Sequence, residues 1–413
     1  MTAIKGRRAA VAFIFVTVTL DIVAGGVVGP VWPNLIQGFL GGDTSRSALV
    51  FGVFATVFAA AQLIGAPVLG SLSDRFGRRP VILVSCFGLA IDYVIMAMAP
   101  NLAWLFVGRI LSGLSSANMA TAGAYIADVT PPEKRAGAYG FLSAAFGVGF
   151  ILGPALGGFA GQLDPRLPFW IAAGLTALNA AYGLFVLPES LASENRSAFS
   201  PHMANPFAAL GILGSRPQLM GLALISFMTR LVHAVFATVW TLYVAARYGW
   251  GPAMIGVSLV VVGASSLVVS AGFVRPVVAW LGERRTLTLG LFFAAAGFAL
   301  LGWAPQGWSF LASIFVLCLW GLASPCIQAM MTRLVSPSEQ GRLQGANTGM
   351  TSIAGLIGPS IFAGAFAFAA TPARAALGLI GLPFYLAAAL MLLAMAMAWR
   401  VTAGPETTAQ QAA

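Results

Sequence analysis

Five ionisable side chains lie within long apolar stretches of this sequence: Asp21, Asp92, Arg109, Arg230 and His233. A charge at the centre of a bilayer costs about 2.5 to 3.5 kcal/mol even on permissive insertion scales. Such residues are therefore expected to face an interior aqueous cavity and one another. A carboxylate in that cavity can take up a proton on one side of the membrane and release it on the other. Asp21 and Asp92 are candidate proton or cation carriers, with Arg109 tuning their proton affinity.

Helical spacing places neutral polar groups beside these charges. Arg109 shares a helix face with Ser112, and Arg230 and His233 share a face with Ser226. Two alternatives stay open: Arg109 and an acidic partner form a purely structural ion pair, or His233 is a neutral imidazole that hydrogen-bonds across helices. Three further polar residues are candidate substrate contacts near the middle of the membrane: Gln62, Gln328 and Asn347.

The stretches that carry these residues indicate an integral membrane protein. Hydrophobic residues make up 59% of the 413-residue chain and charged residues only 8%, which excludes a soluble globular domain of this length. Each stretch is long enough for a helix to cross a hydrocarbon layer roughly 30 Å thick, and none shows the alternation of a membrane strand. The sequence therefore predicts an all-α membrane protein with twelve transmembrane helices, at residues 9–31, 48–70, 80–99, 102–127, 136–160, 167–187, 217–244, 253–274, 286–303, 308–331, 343–369 and 374–400.

The distribution of basic residues predicts the orientation. With the N-terminus inside, sixteen Lys and Arg residues fall in cytoplasmic segments and four outside, as the positive-inside rule requires. We expect a multi-pass protein of the cell inner (plasma) membrane with both termini in the cytoplasm. The first stretch is too long for a cleaved signal peptide. Because the basic residues occur in ones, twos and threes at helix ends, the net charge of +10 does not indicate nucleic-acid binding.

Metal, disulfide and enzymatic chemistry find no support in the sequence. The three cysteines, Cys86, Cys318 and Cys326, have no spacing typical of a metal site or a disulfide. With two histidines and no catalytic constellation, we expect neither an enzyme nor a cofactor. The expected partners are a small-molecule substrate, protons and the lipid bilayer, and the protein is expected to function as a monomer.

The chain reads as a duplication. Its long polar interval separates two apolar halves that echo each other at an offset of about 205 residues, as in Gly153-Pro154 and Gly358-Pro359. We predict a six-helix bundle over residues 1–187, a cytoplasmic linker over 188–216, and a second six-helix bundle with a short cytoplasmic tail over 217–413. An even number of spans per half makes the repeats parallel, with a central cavity at their interface.

Two segments carry dense motifs. Between predicted spans 2 and 3 the chain reads Gly-Ser-Leu-Ser-Asp-Arg-Phe-Gly-Arg-Arg from Gly70 to Arg79, where the glycines permit tight turning and Asp74 could cap a neighbouring helix. In span 5, glycines at 149, 153 and 157 form one stripe that allows close helix approach, and Pro154 invites a bend. The simpler interpretations are that the basic loop only fixes the membrane topology and that the span 5 glycines only allow close helix packing.

These motifs resemble the major facilitator superfamily. The Gly70 to Arg79 loop is similar to its signature loop, Gly108-Arg109 with Ser112-Gly113 to the arginine motif of proton-coupled members, and the Gly149 to Gly158 segment to the antiporter motif. Within the superfamily the chain resembles the drug:proton antiporters of the tetracycline-efflux type, as in Ala237-Thr238-Val239-Trp240. The resemblance implies two functional sets. Gly70, Asp74, Arg75, Gly77, Arg78, Arg79 and Asp128 would gate the cytoplasmic face, and Gly149, Gly153, Pro154, Gly157 and Gly158 would form the antiporter motif.

The resemblance therefore implies the major facilitator fold and proton-coupled efflux of a tetracycline-like drug or other amphipathic compound by alternating access. One departure matters: the group expects a histidine in span 8 and an aspartate in span 9, where this chain has Ser265-Ser266 and Ala294-Ala295. Arg230 and His233 in span 7 are candidates to replace them. The alternative is a major facilitator exporter or importer of a metabolite or siderophore.

Overall fold

The computed structural model describes residues 2–116, 118–131, 135–196, 208–336 and 339–401, and all regular secondary structure within these ranges is helical. Parts of the predicted linker (197–207) and the predicted tail (402–413) lie outside the described residues.

Seventeen α-helices are found in this part of the chain. Those before the predicted linker are α1 (Thr2–Val28), α2 (Trp32–Phe39), α3 (Thr44–Phe76), α4 (Arg78–Met98), α5 (Leu102–Ser115), α6 (Asn118–Val129), α7 (Arg135–Leu163) and α8 (Leu167–Phe185). Those after it are α9 (Pro217–Thr238), α10 (Trp240–Tyr248), α11 (Pro252–Val268), α12 (Val274–Trp303), α13 (Gly307–Cys318), α14 (Ala323–Arg333), α15 (Gln340–Ala369), α16 (Pro372–Ala376) and α17 (Leu382–Val401).

Ten segments of the described residues are long and apolar enough to cross a membrane, which agrees with an integral membrane protein. One of them runs from Pro252 to Trp303 over 52 residues, and the backbone inside it breaks at Gly282, where φ is 74°. Predicted span 4 is divided into the short helices α5 and α6, because α5 ends in a tight turn at Ser116.

Local sequence explains several helix ends. The Asn101 side chain caps α5 by accepting hydrogen bonds from the backbone N–H groups of Ala103 and Trp104, at 3.1 and 3.3 Å. The left-handed Gly249, with φ 66°, ends α10. These caps satisfy backbone groups that would otherwise be left without partners at a helix terminus.

The chain forms two compact units. Unit 1 comprises Met1–Asp43, Val57–Asn205 and Trp250–Val260, and unit 2 comprises Thr44–Thr56, Pro206–Gly249 and Val261–Ala413. Each unit thus includes one short segment from the opposite half of the sequence.

In unit 1, α1 packs on α7 and α8, and α4 packs on α5 and α8. Its apolar core includes Ile14, Val18, Ile82 and Tyr125, all nearly inaccessible to solvent. In unit 2, α9 packs on α15 and α17, and α12 packs on α13 and α17.

The core of unit 2 is a cluster of buried aromatic rings. Trp240 lies 4.9 Å from Phe310 and Tyr243 lies 4.6 Å from Phe384, measured between ring centroids in edge-on pairs. Edge-on geometry suits the quadrupoles of aromatic rings and adds to the stabilisation from burial alone.

Large apolar side chains also cover much of the outer surface. Trp280 is 84% exposed, Phe185 82% and Trp308 71%. Water would disfavour so much exposed apolar surface, whereas lipid chains solvate it.

Candidate functional site

The buried carboxylate of Asp92 on α4 is the most unusual polar group of unit 1. Its side chain is completely buried, and neither carboxylate oxygen has a hydrogen-bond partner among the described residues. It packs against Gly108 of α5, where an added Cβ would lie 2.8 Å from Asp92 Oδ1. Gly108 therefore allows α4 and α5 to approach at the carboxylate. Burying a polar group without hydrogen bonds costs free energy, which makes Asp92 a candidate functional residue of unit 1.

Arg109 follows Gly108 on α5 and is held by aromatic rings. Its guanidinium carbon lies 4.5 Å from the centroid of Trp32 and 5.3 Å from that of Phe58. Its Nη2 lies 3.5 Å from Ser112 Oγ and 3.6 Å from Met96 Sδ. The ion pairs seen among the described residues include Arg78–Asp74, Arg78–Asp128 and Arg333–Glu283, whereas Arg109 and Asp92 do not form one. The aromatic faces stabilise the cation in place of a carboxylate.

Asp21 of α1 belongs to the same group of residues as Asp92 and Arg109. Its side chain is half-buried on α1, and one turn further along α1 an added Cβ on Gly25 would lie 3.9 Å from the hydroxyl of Tyr93. Electrostatic interactions connect Tyr93 with Asp21, Asp92 and Arg109. The structure therefore groups the three ionisable residues predicted for this half around a tyrosine that the sequence analysis missed. The only feature of the sequence that could have indicated Tyr93 was its position directly after Asp92.

Gln62 lies beside this group on α3. Its side chain is half-buried, and its backbone is close to α5, because a Cβ on Gly113 would be 2.5 Å from Phe58 O and 3.1 Å from Gln62 N. Gly113, at the end of the predicted arginine motif, fixes this approach.

A second group of polar side chains lies in unit 2, and we call it the α9–α15 polar cluster: Arg230 and Ser226 of α9, Thr351 and Asn347 of α15, and Gln328 of α14. Arg230 Nη1 donates a hydrogen bond to Thr351 Oγ1, and its Nε lies 3.4 Å from Ser226 Oγ. Thr351 Oγ1 donates to the carbonyl of Asn347 at 2.9 Å. Asn347 Nδ2 donates to Gln328 Oε1 at 3.1 Å. Three predicted site residues, Arg230, Gln328 and Asn347, thus belong to one network.

His233 lies one turn along α9 from Arg230, and its side chain is exposed. Its ring centroid is 5.2 Å from that of Phe236 and 5.4 Å from that of Trp320. The residue therefore extends the cluster with an aromatic surface, which the sequence analysis did not anticipate.

The signature loop forms a charge network in unit 1. Arg78 pairs with Asp74, its Nε donates to Asp128 Oδ2 at 3.0 Å, and its Nη1 donates to Ser73 Oγ at 2.7 Å. Ser190 Oγ also donates to Asp128 Oδ2 at 3.0 Å. Asp128, a member of the predicted gating set, contacts Arg78 directly.

The other loop residues have separate roles in packing. Ser73 Oγ donates to the Gly70 carbonyl at 2.7 Å. Arg75 lies over the ring of Phe76, 5.1 Å from its centroid. Arg79 donates to backbone carbonyls near the end of α8, including that of Gly183 at 3.5 Å.

Glu189, which the sequence analysis assigned only to the linker, caps α4. Its Oε1 accepts from Arg78 N at 2.8 Å, and its Oε2 accepts from Arg79 N at 3.2 Å. Gly77 has φ 109°, and a Cβ there would lie 2.3 Å from Glu189 Oε2. At the start of α4 the capping acceptor is therefore Glu189, whereas Asp74 pairs with Arg78.

The span 5 motif fits closely against α1. A Cβ on Gly157 would lie 1.8 Å from Val27 O, and one on Gly153 would lie 2.7 Å from the Cα of Gly26. A Cβ on Gly149 would meet the side chain of Ile22 at 2.5 Å. The glycine stripe therefore brings the two helix backbones together along several turns.

Two neighbouring motif residues face another helix. A Cβ on Gly158 would lie 2.7 Å from Pro252 O and 3.0 Å from the Cα of Gly256 in α11. Pro154 is inside α7, and its carbonyl oxygen would be 2.5 Å from a Cβ on Gly256.

Many apolar helices with ionisable groups between them are typical of a membrane transporter. A model of the Major Facilitator Superfamily matches residues 14–359 and 222–413. The chain belongs to this superfamily, whose members are transporters and not enzymes.

Curated relatives support the narrower resemblance. The chain is 38% identical over 371 residues to a tetracycline resistance protein, class C, of Escherichia coli, covering 90% of this chain and 93% of the relative. It is 35% identical over 379 residues to a class G protein of Vibrio anguillarum, covering 92% and 96%. Among solved structures, a D-xylose-proton symporter matches with a TM-score of 0.75 and 17% identity, covering 97% of this chain and 98% of that one. The predicted resemblance to tetracycline-efflux antiporters is confirmed.

Proposed function

We propose that this protein exports a tetracycline-like or other amphipathic compound across the cell inner membrane in exchange for protons, by alternating access. The observation that carries the proposal is the buried Asp92 carboxylate, which lies next to Arg109 and has no hydrogen-bond partner in the described part of the chain. The chain resembles tetracycline resistance proteins over most of its length.

The proposed topology has twelve spans in two six-helix bundles. Ten candidate spans become twelve if α5 and α6 together form one span and the Pro252–Trp303 segment forms two. A helix of 52 residues would be about 78 Å long, far more than one bilayer crossing needs. The break at Gly282 supplies the turn between the two.

In this mechanism Asp92 and Asp21 carry the proton, and Arg109 sets their proton affinity. A protonated Asp92 is compatible with its dry surroundings, and ionisation requires water or a cation to reach it. The Arg78 network of the signature loop would gate the cytoplasmic face, and the glycine contacts of α7 would keep protons from leaking through unit 1.

The alternative substrate class, a metabolite or siderophore, is favoured by one observation. Ala294 and Ala295 of α12 are buried, and Ser265 is 7% exposed, so the positions where the tetracycline group expects titratable residues are small and packed. The ionisable residues of unit 2 therefore differ from those expected in the tetracycline group, which favours a different transported compound.

Proton movement in inside-out membrane vesicles tests the proposal. Vesicles energised by respiration are given tetracycline, and a pH-sensitive dye reports the protons released in exchange. We expect Asp92→Asn to reduce drug-stimulated movement to the level of vesicles without the protein, because the variant keeps the shape of the side chain and removes its titration.

Asp43→Asn is the matched control, since Asp43 is exposed between α2 and α3. It should behave as the parent protein. Normal drug-stimulated proton movement in Asp92→Asn, at equal protein level, would remove this carboxylate from the mechanism.

A further inference from the structure

Arg230 is a cation without an acidic counterpart in its half of the chain. Between residues 206 and 401 the only acidic residues are Glu283 and Glu339. Glu283 follows the backbone break at Gly282 in α12 and pairs with Arg333, and Glu339 directly precedes α15. Arg230 is thirteen residues into α9, about 20 Å along the helix from Pro217. A guanidinium at this depth remains charged, so its stability in the membrane requires water or an anion.

The hydrogen bonds of Arg230 leave much of its capacity available. A guanidinium has five N–H donors. Among the described residues, Arg230 donates to two neutral hydroxyl groups, of Thr351 and Ser226. Both partners fix the plane of the guanidinium without neutralising it. Two parallel N–H donors of a guanidinium match the two oxygens of a carboxylate.

The rest of the cluster is arranged around this cation. Asn347 is 5% exposed, and its Oδ1 is buried with no hydrogen-bond partner within the ranges that the structure describes, while its amide nitrogen donates to Gln328. Next to Arg230, the rings of His233, Phe236 and Trp320 form an aromatic surface that we call the His233–Trp320 shelf. The His233 centroid lies 5.2 Å from that of Phe236 and 5.4 Å from that of Trp320. The three rings are tilted, by 48° between His233 and Phe236 and by 40° between His233 and Trp320, so they offer aromatic faces and edges against which a ring system can pack. The Asn347 Oδ1 offers an acceptor for a hydroxyl or amide donor.

We propose that the α9–α15 polar cluster binds the anionic group of an amphipathic organic compound, with the guanidinium of Arg230 on a carboxylate and the His233–Trp320 shelf under the planar apolar body. This assignment rests on the proposed transport function and names the substrate class that unit 2 recognises. A compound with a carboxylate at one end of an aromatic system fits both parts of the cluster.

Cysteine labelling tests the site without a transport measurement. Cys86, Cys318 and Cys326 are buried, and we replace them with alanine. A single cysteine is then introduced by Ala237→Cys, at an exposed position seven residues, or about 10 Å, along α9 from Arg230. In membranes without an energy source, the rates of modification by anionic and cationic methanethiosulfonate reagents are compared, alone and with 2-naphthoate, its neutral amide or sulfate.

We expect Arg230→Gln to lower the ratio of anionic to cationic rates roughly tenfold, because one charge is removed at this distance in a medium of intermediate dielectric. Arg230→Lys should keep most of the ratio. Arg275→Gln, which removes an equal charge at an exposed position, should not change it. Naphthoate should slow modification in the parent protein but not in Arg230→Gln, while the amide and sulfate protect at least tenfold less well.

Each other result overturns the assignment. A rate ratio that Arg230→Gln leaves unchanged, or a cysteine that reacts with neither reagent, shows that no accessible positive site exists there. Equal protection by the amide excludes recognition of the anionic group, and equal protection by sulfate excludes recognition of the organic body. Because no drug or proton gradient is used, these outcomes are separate from the success or failure of the vesicle assay.

Discussion

Gly157 of α7 lies so close to α1 that a single added methyl group should separate the two helices. A Cβ at this position would be 1.8 Å from the carbonyl oxygen of Val27, whereas ordinary contact begins at 3.4 Å. The backbones must therefore move apart by about 1.6 Å, since neither atom belongs to a side chain that can rotate. A gap of 0.5 to 1 Å already forfeits about a quarter to a half of each dispersion contact.

The expected cost follows from this displacement. Overpacking usually destabilises by about 1 to 3 kcal/mol, and a clash with backbone belongs at the upper end, so we expect about 3 kcal/mol for Gly157→Ala. The gain in helix propensity from glycine to alanine offsets about 1 kcal/mol of this. The net loss of about 2 kcal/mol should lower the melting temperature of the purified protein by several degrees.

Thermal unfolding followed by tryptophan fluorescence measures the effect. Gly174→Ala on α8 is the matched control, because an added Cβ there meets no atom within 4 Å. We expect this control to melt at or slightly above the parent temperature. If Gly157→Ala melts as high as Gly174→Ala, then α1 and α7 are not packed as closely as the structure has them, and the reasoning fails.

Two further predictions concern helix ends. Glu189→Ala should destabilise the protein by about 0.5 to 2 kcal/mol, because two backbone N–H groups of α4 lose their acceptor. Glu194→Ala is the control, because Glu194 is an exposed acid in the same polar interval. Equal melting temperatures for the two variants would contradict the capping role of Glu189. Glu283→Arg and Arg333→Glu should each lower the melting temperature by placing like charges together, by an amount worth at most about 1 kcal/mol for this partly exposed pair. The double variant should return to the parent value, and failure to do so would show that the pair contributes nothing.

The sequence was sufficient to predict the membrane class and to select candidate site residues. Apolar length and the cost of a buried charge are local properties, and they identified Asp92, Arg109 and Arg230 before any contact was known. The structure adds one observation to the predicted duplication. Glu283 and Arg333 lie 205 residues after Arg78 and Asp128, and they form the same ion pair with the charges reversed.

Other features depend on tertiary contacts that spacing does not contain. The rings of Trp32 and Phe58 that contact Arg109 belong to α2 and α3, so the sequence around Arg109 could not predict them. Glu189 reaches the start of α4 from more than a hundred residues away. The membership of Thr44–Thr56 in unit 2 and of Trp250–Val260 in unit 1 likewise follows from packing along the whole helices.

The two halves of the sequence carry different ionisable residues in their apolar stretches, and the two proposals can be tested separately on that basis. The apolar stretches of the first half contain two carboxylates and one guanidinium, whereas those of the second half contain one guanidinium, one imidazole and no carboxylate. Since an arginine does not deprotonate in a protein, Arg230 cannot carry the proton and can only attract an anion or water. Asp92→Asn should therefore abolish drug-stimulated proton movement while the protection of Cys at position 237 by naphthoate persists. Arg230→Gln should abolish that protection, and any proton movement driven by an uncharged compound should survive it. If instead both variants lose both activities, the two charges belong to one coupled site and the division of roles is wrong.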